Sequence, residues 1–211
     1  MLILGQSPRS KSVFRALAAA FGLLGSLVVL FYLCGLRINV TPSIPLGLYV
    51  RTGAGPTPGL IAEFCPSGMA AEESERYRGF GLACPDRSIP LLKPVVAGPG
   101  DHVEFSVVGM RVNGQLLPNT APRQIDGKGR LIRAWPAGEY TVEAGKIVVA
   151  SSYHSGSYDS RYLGPISMRD VRSNLRPLWV IQGLDFTKVP ATSNKIRTNY
   201  KTDANRLSTA Y

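Results

Sequence analysis

Three stretches of this chain carry side chains that could act together on an acyl group. In Asn39-Val40-Thr41-Pro42-Ser43-Ile44-Pro45-Leu46-Gly47-Leu48-Tyr49 a serine stands between two prolines. Pro45 fixes its own φ, and each proline restricts the residue before it. Such a backbone suits a nucleophile that must be held still, since misplacement costs rate; it equally suits a rigid turn. The second stretch holds Lys93 among Leu91, Leu92, Pro94, Val95 and Val96. A lysine that works as a general base must lose its proton near neutrality, a shift from about 10.4 toward 7 worth about 4–5 kcal/mol. Burial among apolar side chains can supply it, although a solvated edge charge also fits Lys93 alone. Paired with Ser43, a neutral Lys93 would take the Oγ proton and return it to the leaving amine, a known variant of serine acyl transfer. The third stretch is Ser157-Tyr158-Asp159-Ser160-Arg161-Tyr162-Leu163-Gly164.

Other chemistries find less support. The only histidines are His102, at the start of a strand-like run, and His154, in a Ser/Gly/Tyr loop. Neither has the surroundings of a Ser-His-Asp triad, which leaves Lys93 as the better partner for Ser43. The chain has no phosphate-cradling Gly-rich loop, no H-E-x-x-H, no C-x-x-C and no paired-carboxylate pattern, so no metal and no cofactor are expected.

These residues need elements to position them. Residues 16–36 form a run of 21 residues without a charge. As a helix it would be about 31 Å long, matching a bilayer core of about 30 Å, and it is longer than the apolar core of a cleaved signal peptide. Arg9, Lys11 and Arg15 precede it, whereas Arg37 alone follows closely. By the positive-inside rule residues 1–15 stay in the cytoplasm and residues 37 onward cross the membrane. After the anchor come short strand-like runs at 47–50, 60–64, 89–97, 102–108, 138–142 and 146–150. A short helix is predicted over 69–80, and a hairpin turns at Asn113-Gly114. Pro94 inside its run marks an edge or a bulge. The 16 prolines and 22 glycines fit many turns. The fold class is therefore mainly β, a curved or barrel-like domain of short antiparallel strands over 37–185 with one N-terminal transmembrane helix. Residues 186–211 are polar and basic, a tail without apolar periodicity.

The formal charge of +10 suits either nucleic acid or anionic lipid. Its scattered distribution and the lack of any nucleic-acid motif favour the bilayer as partner and no nucleic acid. Cys65 and Cys84 can pair if the domain lies outside the cytoplasm, and they can equally remain two thiols.

Taken together, Thr41-x-Ser43-x-Pro45-x-Gly47-x-Tyr49, Lys93 ahead of Gly98-Pro99-Gly100-Asp101, and Ser157-x-Asp159-Ser160-Arg161-Tyr162-x-Gly164 resemble the type I signal peptidases. The likeness spans residues 16 to about 182. It implies a membrane-anchored serine protease on a β-fold, with Ser43 as nucleophile and Lys93 as general base. Thr41 then matches a hydroxyl that stabilises the oxyanion beside the Ser43 N–H, and Ser157 one that orients the lysine. Asp159 and Arg161 match an ion pair in the wall of the site. Ile44 replaces the usual Met, Pro94 the usual Arg, and Ser152-Tyr153-His154 the usual Gly-Asp-Asn. The spacing Ser-x-Pro-x-Gly-x-Tyr is similar to the conjugative-transfer, TraF-type branch, whose members mature a pilin and can close it into a ring. In that branch a further acidic residue is needed, for which Asp159 is the match. The resemblance implies a bacterial inner-membrane protein, single-pass, N-terminus cytoplasmic, catalytic domain periplasmic, acting on a membrane-inserted pilin. A general signal peptidase for exported preproteins and a non-catalytic assembly module of a transfer apparatus are the alternatives. The tether agrees: Ser43 lies seven residues beyond Leu36, at most about 25 Å of extended chain.

Overall fold

The computed structural model describes residues 8–68 and 71–181; residues 1–7 and the expected tail at 186–211 lie outside the described residues. The chain divides between Arg37 and Ile38 into two units. In the first, helix α1 (Pro8–Leu33) contains Val13–Leu33, a stretch of 21 residues with mean hydropathy 2.3 and none of it buried. By length and composition it can cross a membrane, as an anchor or as a signal sequence. The helix stops where Gly35 adopts a φ of 75° and its N–H bonds the Tyr32 carbonyl, a left-handed ending that glycine takes without steric cost. Strand β1 (Leu36–Asn39) follows at once.

The second unit is mainly β. Its larger sheet runs in the order β1, β2 (Gly47–Thr52), β11 (Val171–Val180), β3 (Ile61–Phe64), β4 (Leu91–Ala97), β9 (Lys146–Val149), β10 (Ile166–Ser167). The smaller sheet has the order β7 (Gln115–Leu116), β6 (Gly109–Val112), β5 (His102–Ser106), β8 (Gly138–Thr141). The pairings from β2 to β11 are antiparallel. Asn113, at a φ of 50°, and Gly114, at 82°, turn the β6–β7 hairpin where the sequence places it.

Strand β11 was not expected, and it lies between β2 and β3. Its polar content hides it: Ser173 and Asn174 are buried beside Leu175, and Pro177 interrupts the apolar pattern. The register against β2 shifts between Pro177 and Trp179, so the proline sits at a bulge, where its missing N–H is tolerated. Pro94 behaves in the same way inside β4, next to a register shift against β9 between Val95 and Ala97.

Three apolar clusters hold the unit together. One packs the small sheet through Val103, Phe105, Met110, Val112 and Val142 onto Val96 and Val148. A second gathers Ala62, Phe64, Leu91, Val95, Ile147, Val149 and Tyr158. The third is Ile44, Tyr49, Ile61 and Leu175, with Leu92 and Val180 against it. Between β3 and β4 the chain makes an excursion through α2 (Ala71–Arg78). A Cys65–Cys84 disulfide, Cα–Cα 5.8 Å, closes it; a loop of this size is worth roughly 3 kcal/mol by chain entropy. Inside it Asp86 accepts from Arg78 Nη1 at 2.7 Å, Ser74 Oγ at 2.6 Å and Ser88 Oγ at 2.5 Å.

Candidate active site

Ser43 sits in the turn between β1 and β2 and is buried to 8% exposure. The turn is held from both ends. Ile44, fully buried, packs with Ile61 and Leu92 of the β3–β4 pair. At the far end the Tyr49 hydroxyl donates to the Pro45 carbonyl at 2.6 Å. From the near end the Asn39 carboxamide reaches into the turn. Its Nδ2 donates to the carbonyls of Thr41 (2.8 Å), Ile44 (2.9 Å) and Pro45 (3.1 Å). Its Oδ1 accepts from Thr41 N at 3.2 Å and from Thr41 Oγ1 at 2.8 Å. Thr41 Oγ1 in turn lies 3.4 Å from Ser43 Oγ. Sequence reasoning assigned Asn39 no role.

Lys93 is the third residue of β4, paired with Ala62 of β3, and 5% exposed. Alternation along β4 puts it on the face of Leu91 and Val95, opposite Leu92. Burial pushes its ammonium down to about 8, against the nearby Asp159 carboxylate, which raises it; Arg161 lowers it further. Among the described residues no hydrogen bond joins Lys93 to Ser43. What links them is the strand pair: the turn that carries Ser43 is fastened through Ile44 to Ile61 and Leu92, the immediate neighbours of Ala62 and Lys93.

The third stretch is fixed to β9 and to the loop beyond it. Ser160 Oγ accepts from Val149 N at 3.0 Å, and Asp159 caps the short helix α3 (Ser160–Leu163). Asp159 and Arg161 are 0% and 2% exposed. Arg161 Nε and Nη2 donate to the two carboxylate oxygens at 2.8 and 2.9 Å. Asp159 Oδ2 also accepts from Ser151 N at 3.0 Å, and Oδ1 from Arg161 N at 3.3 Å. The remaining guanidinium donors reach the carbonyls of Asn119 (2.9 Å), Ser155 (3.1 Å) and Ser151 (2.9 Å). Ser157 Oγ is buried and has no hydrogen-bond partner among the described residues. Tyr158, between Ser157 and Asp159, stacks on Tyr77 of α2 at 4.1 Å and on Tyr162 at 5.4 Å. The disulfide-closed excursion therefore presses on the wall that carries Asp159.

Gly164 ends α3 at a φ of 70°, and a Cβ there would lie 2.4 Å from the Trp135 ring. Trp135 N also donates to the Arg161 carbonyl at 2.8 Å. Trp135 thus backs the third stretch, another contribution that sequence reasoning missed. A cavity of about 210 Å³ beside it, lined by Phe105, Met110, Trp135 and Arg161, includes neither Ser43 nor Lys93. Among the described residues neither histidine bonds Ser43. His102 pairs with Glu139 at 3.7 Å, and exposed His154 accepts from Gly156 N. Among the described residues no cluster of His, Cys, Asp or Glu could hold a metal.

The family model described as signal peptidase, peptidase S26, matches residues 11–179. The plasmid transfer protein TraF of Escherichia coli is 34% identical over 149 residues, 70% of this chain and 84% of that one. The conjugal transfer protein TraF of Agrobacterium fabrum is 35% identical over 174 residues, 80% of this chain and 96% of that one. A signal peptidase I from Enterococcus faecalis superposes with a TM-score of 0.33 at 20% identity, over 59% of this chain and all of that one. On the family match, which runs through all three stretches, the chain belongs to the signal peptidase family, peptidase S26.

Proposed function

We propose that this chain is a membrane-anchored serine endopeptidase whose Ser43 forms an acyl-enzyme with Lys93 as general base, and that it processes a membrane-inserted precursor, a pilin of a conjugation apparatus. The observation that carries this is Lys93: a buried lysine brought down to about 8 in a chain whose serine turn is built onto the same strand pair. Such a lysine supplies a fraction of neutral amine near neutral pH, which an exposed one does not. Ser43 would pass its Oγ proton to Lys93 as it attacks a carbonyl after a small residue. Lys93 would return that proton to the departing amine. The Ser43 N–H and the Thr41 hydroxyl would receive the oxyanion, and Ser157 Oγ would be the partner that orients Lys93. Catalytic hydrogen bonds are often long before substrate is bound, which accommodates the unmade Ser43–Lys93 bond.

The choice of precursor follows the relatives named for plasmid and conjugal transfer. A membrane-inserted substrate suits the surface beside the turn. Leu46 is exposed there, and Ile181 N bonds its carbonyl at 2.9 Å; Trp179, paired with Leu48, and Ile181 are 64% and 55% exposed. An apolar rim next to the nucleophile suits an apolar, membrane-derived substrate segment. The domain would then be periplasmic, a setting that a Cys65–Cys84 disulfide favours.

The test is co-expression with a pilin precursor, read by intact mass. Wild type converts the precursor, whereas Ser43→Ala and Lys93→Ala do not. Lys93→Arg does not restore conversion, because arginine stays charged. Wild-type activity rises with pH to a midpoint near 8. A product lighter by one water than the hydrolysed form means that an amine of the pilin itself resolved the acyl-enzyme. Conversion by Ser43→Ala at the wild-type rate would leave the non-catalytic assembly role. Equal conversion of unrelated exported precursors would point to a general signal peptidase.

A further inference from the structure

The hydrogen bonds of Asn39 fix a direction that atom positions alone leave open. The Thr41 N–H can only donate, so the carboxamide atom facing it is the oxygen. The carbonyls of Thr41, Ile44 and Pro45 can only accept, so the atom facing them is the nitrogen. The main chain thus settles the orientation of the amide. Thr41 Oγ1 lies 2.8 Å from that same oxygen. Its single proton is therefore given to Asn39. In the 3.4 Å contact with Ser43 Oγ, Thr41 can only accept, and the donor is Ser43. Asn39 is 4% exposed, so its carboxamide is closed to water, while Thr41 stands at the surface.

We propose that Asn39 is a positioning residue of the acyl-transfer site, acting through Thr41. It sets the Thr41 hydroxyl as an acceptor for the Ser43 proton in the free enzyme, and it holds Thr41 Oγ1 beside Ser43 for its second task. That task begins when Ser43 Oγ loses its proton to Lys93 and bonds the substrate carbonyl carbon. The carbonyl π pair moves onto its oxygen, and Thr41 then swings its O–H from Asn39 Oδ1 toward that oxyanion. The same hydroxyl accepts in the ground state and donates in the transition state, and Asn39 holds the proton in between. The inference rests on the peptidase function proposed above and adds to it the residue that governs the oxyanion donor.

The experiment is a double-mutant cycle on the full-length protein in detergent, with a fluorogenic peptide bearing alanine at the first and third positions before the scissile bond. Folding is checked by thermal unfolding and by the Cys65–Cys84 bond. Asn39→Ala is expected to lower kcat roughly tenfold, the scale of one hydrogen bond, with KM close to wild type. Thr41→Val is expected to lower kcat as well. In the Thr41→Val background Asn39→Ala should cost little more, because its effect runs through the missing hydroxyl. The pH midpoint near 8 should stay in place, since Asn39 does not act on Lys93; general loosening of the β3–β4 wall would move it. If Asn39→Ala does not fold, Asn39→Ser is carried through the same cycle. Fully multiplicative losses, an unchanged kcat or a displaced pH midpoint would each overturn the proposal. Cleavage that survives Ser43→Ala would overturn the peptidase function itself and this inference with it, a separate and distinguishable result.

Discussion

Arg161 uses all five of its N–H donors inside the protein, two of them on Asp159. Asp159 accepts four bonds and has no exposed surface. Such a carboxylate is fully engaged with the protein around it. Removing one member of such a pair strands the other charge in the interior. Arg161→Ala is therefore expected to cost about 3–5 kcal/mol in denaturant unfolding. The double replacement Asp159→Leu/Arg161→Met should cost clearly less than the sum of the single losses, because no charge is left unpaired. The same arginine lowers the Lys93 proton affinity while Asp159 raises it, so Arg161→Ala should also move the pH–rate midpoint upward. The dyad candidates were legible in the sequence from residue type and setting, and this pair only through the family resemblance of its motif. Asn39 and Trp135 were not. They act through main-chain carbonyls and N–H groups, which every residue has, and no spacing rule marks which ones will be met.

At the scale of elements, the turn between β1 and β2 works because β11 approaches it closely. Gly47 has a φ of 150°, and a Cβ built on it would lie 2.3 Å from the Trp179 carbonyl oxygen and 2.7 Å from the Val180 Cα. Both obstacles are backbone, so no rotamer change relieves them. Gly47→Ala must part β2 from β11 or distort the turn, and a loss of about 2–4 kcal/mol is expected in urea unfolding. Peptide cleavage should fall as well, since Tyr49 and Ile44 lose their seats together. The glycine was legible as a motif position, but its reason was not, since the strand that demands it was hidden. Strands β2 to β6 and β8 and β9 carry short apolar, aromatic or β-branched runs of their own and were recoverable to within a few positions. Strand β11 buries Ser173 and Asn174 through partners more than 100 residues away: Ser173 Oγ donates to Glu63, and Asn174 Nδ2 to the Ala54 carbonyl at 2.9 Å. Polar residues satisfied by distant strands look like loop to any local pattern.

For the whole molecule, a lysine buried in the interior has a consequence for folding. In the unfolded chain Lys93 titrates near 10.5, whereas in the fold burial brings it to about 8. Below pH 8 both states hold the proton, and folding carries the full cost of burying the ammonium. Between 8 and 10.5 the unfolded chain binds more protons than the folded one, so stability rises with pH through that window. Above it the cost is gone. At about 1.4 kcal/mol per pH unit, the span amounts to about 3 kcal/mol. The bilayer need not enter: the second unit can be followed by denaturant unfolding of the full chain in mild detergent, monitored by its tryptophans Trp135 and Trp179, both in that unit. Wild type should become more stable from pH 8 toward 10, relative to Lys93→Met measured beside it. Lys93→Met should be the more stable of the two at pH 7, with the gap closing as pH rises. A gap that stays constant would mean that Lys93 keeps its proton in the fold across this range. The pH–rate midpoint near 8 would then need another owner, and the site would lack the base on which its acyl transfer depends.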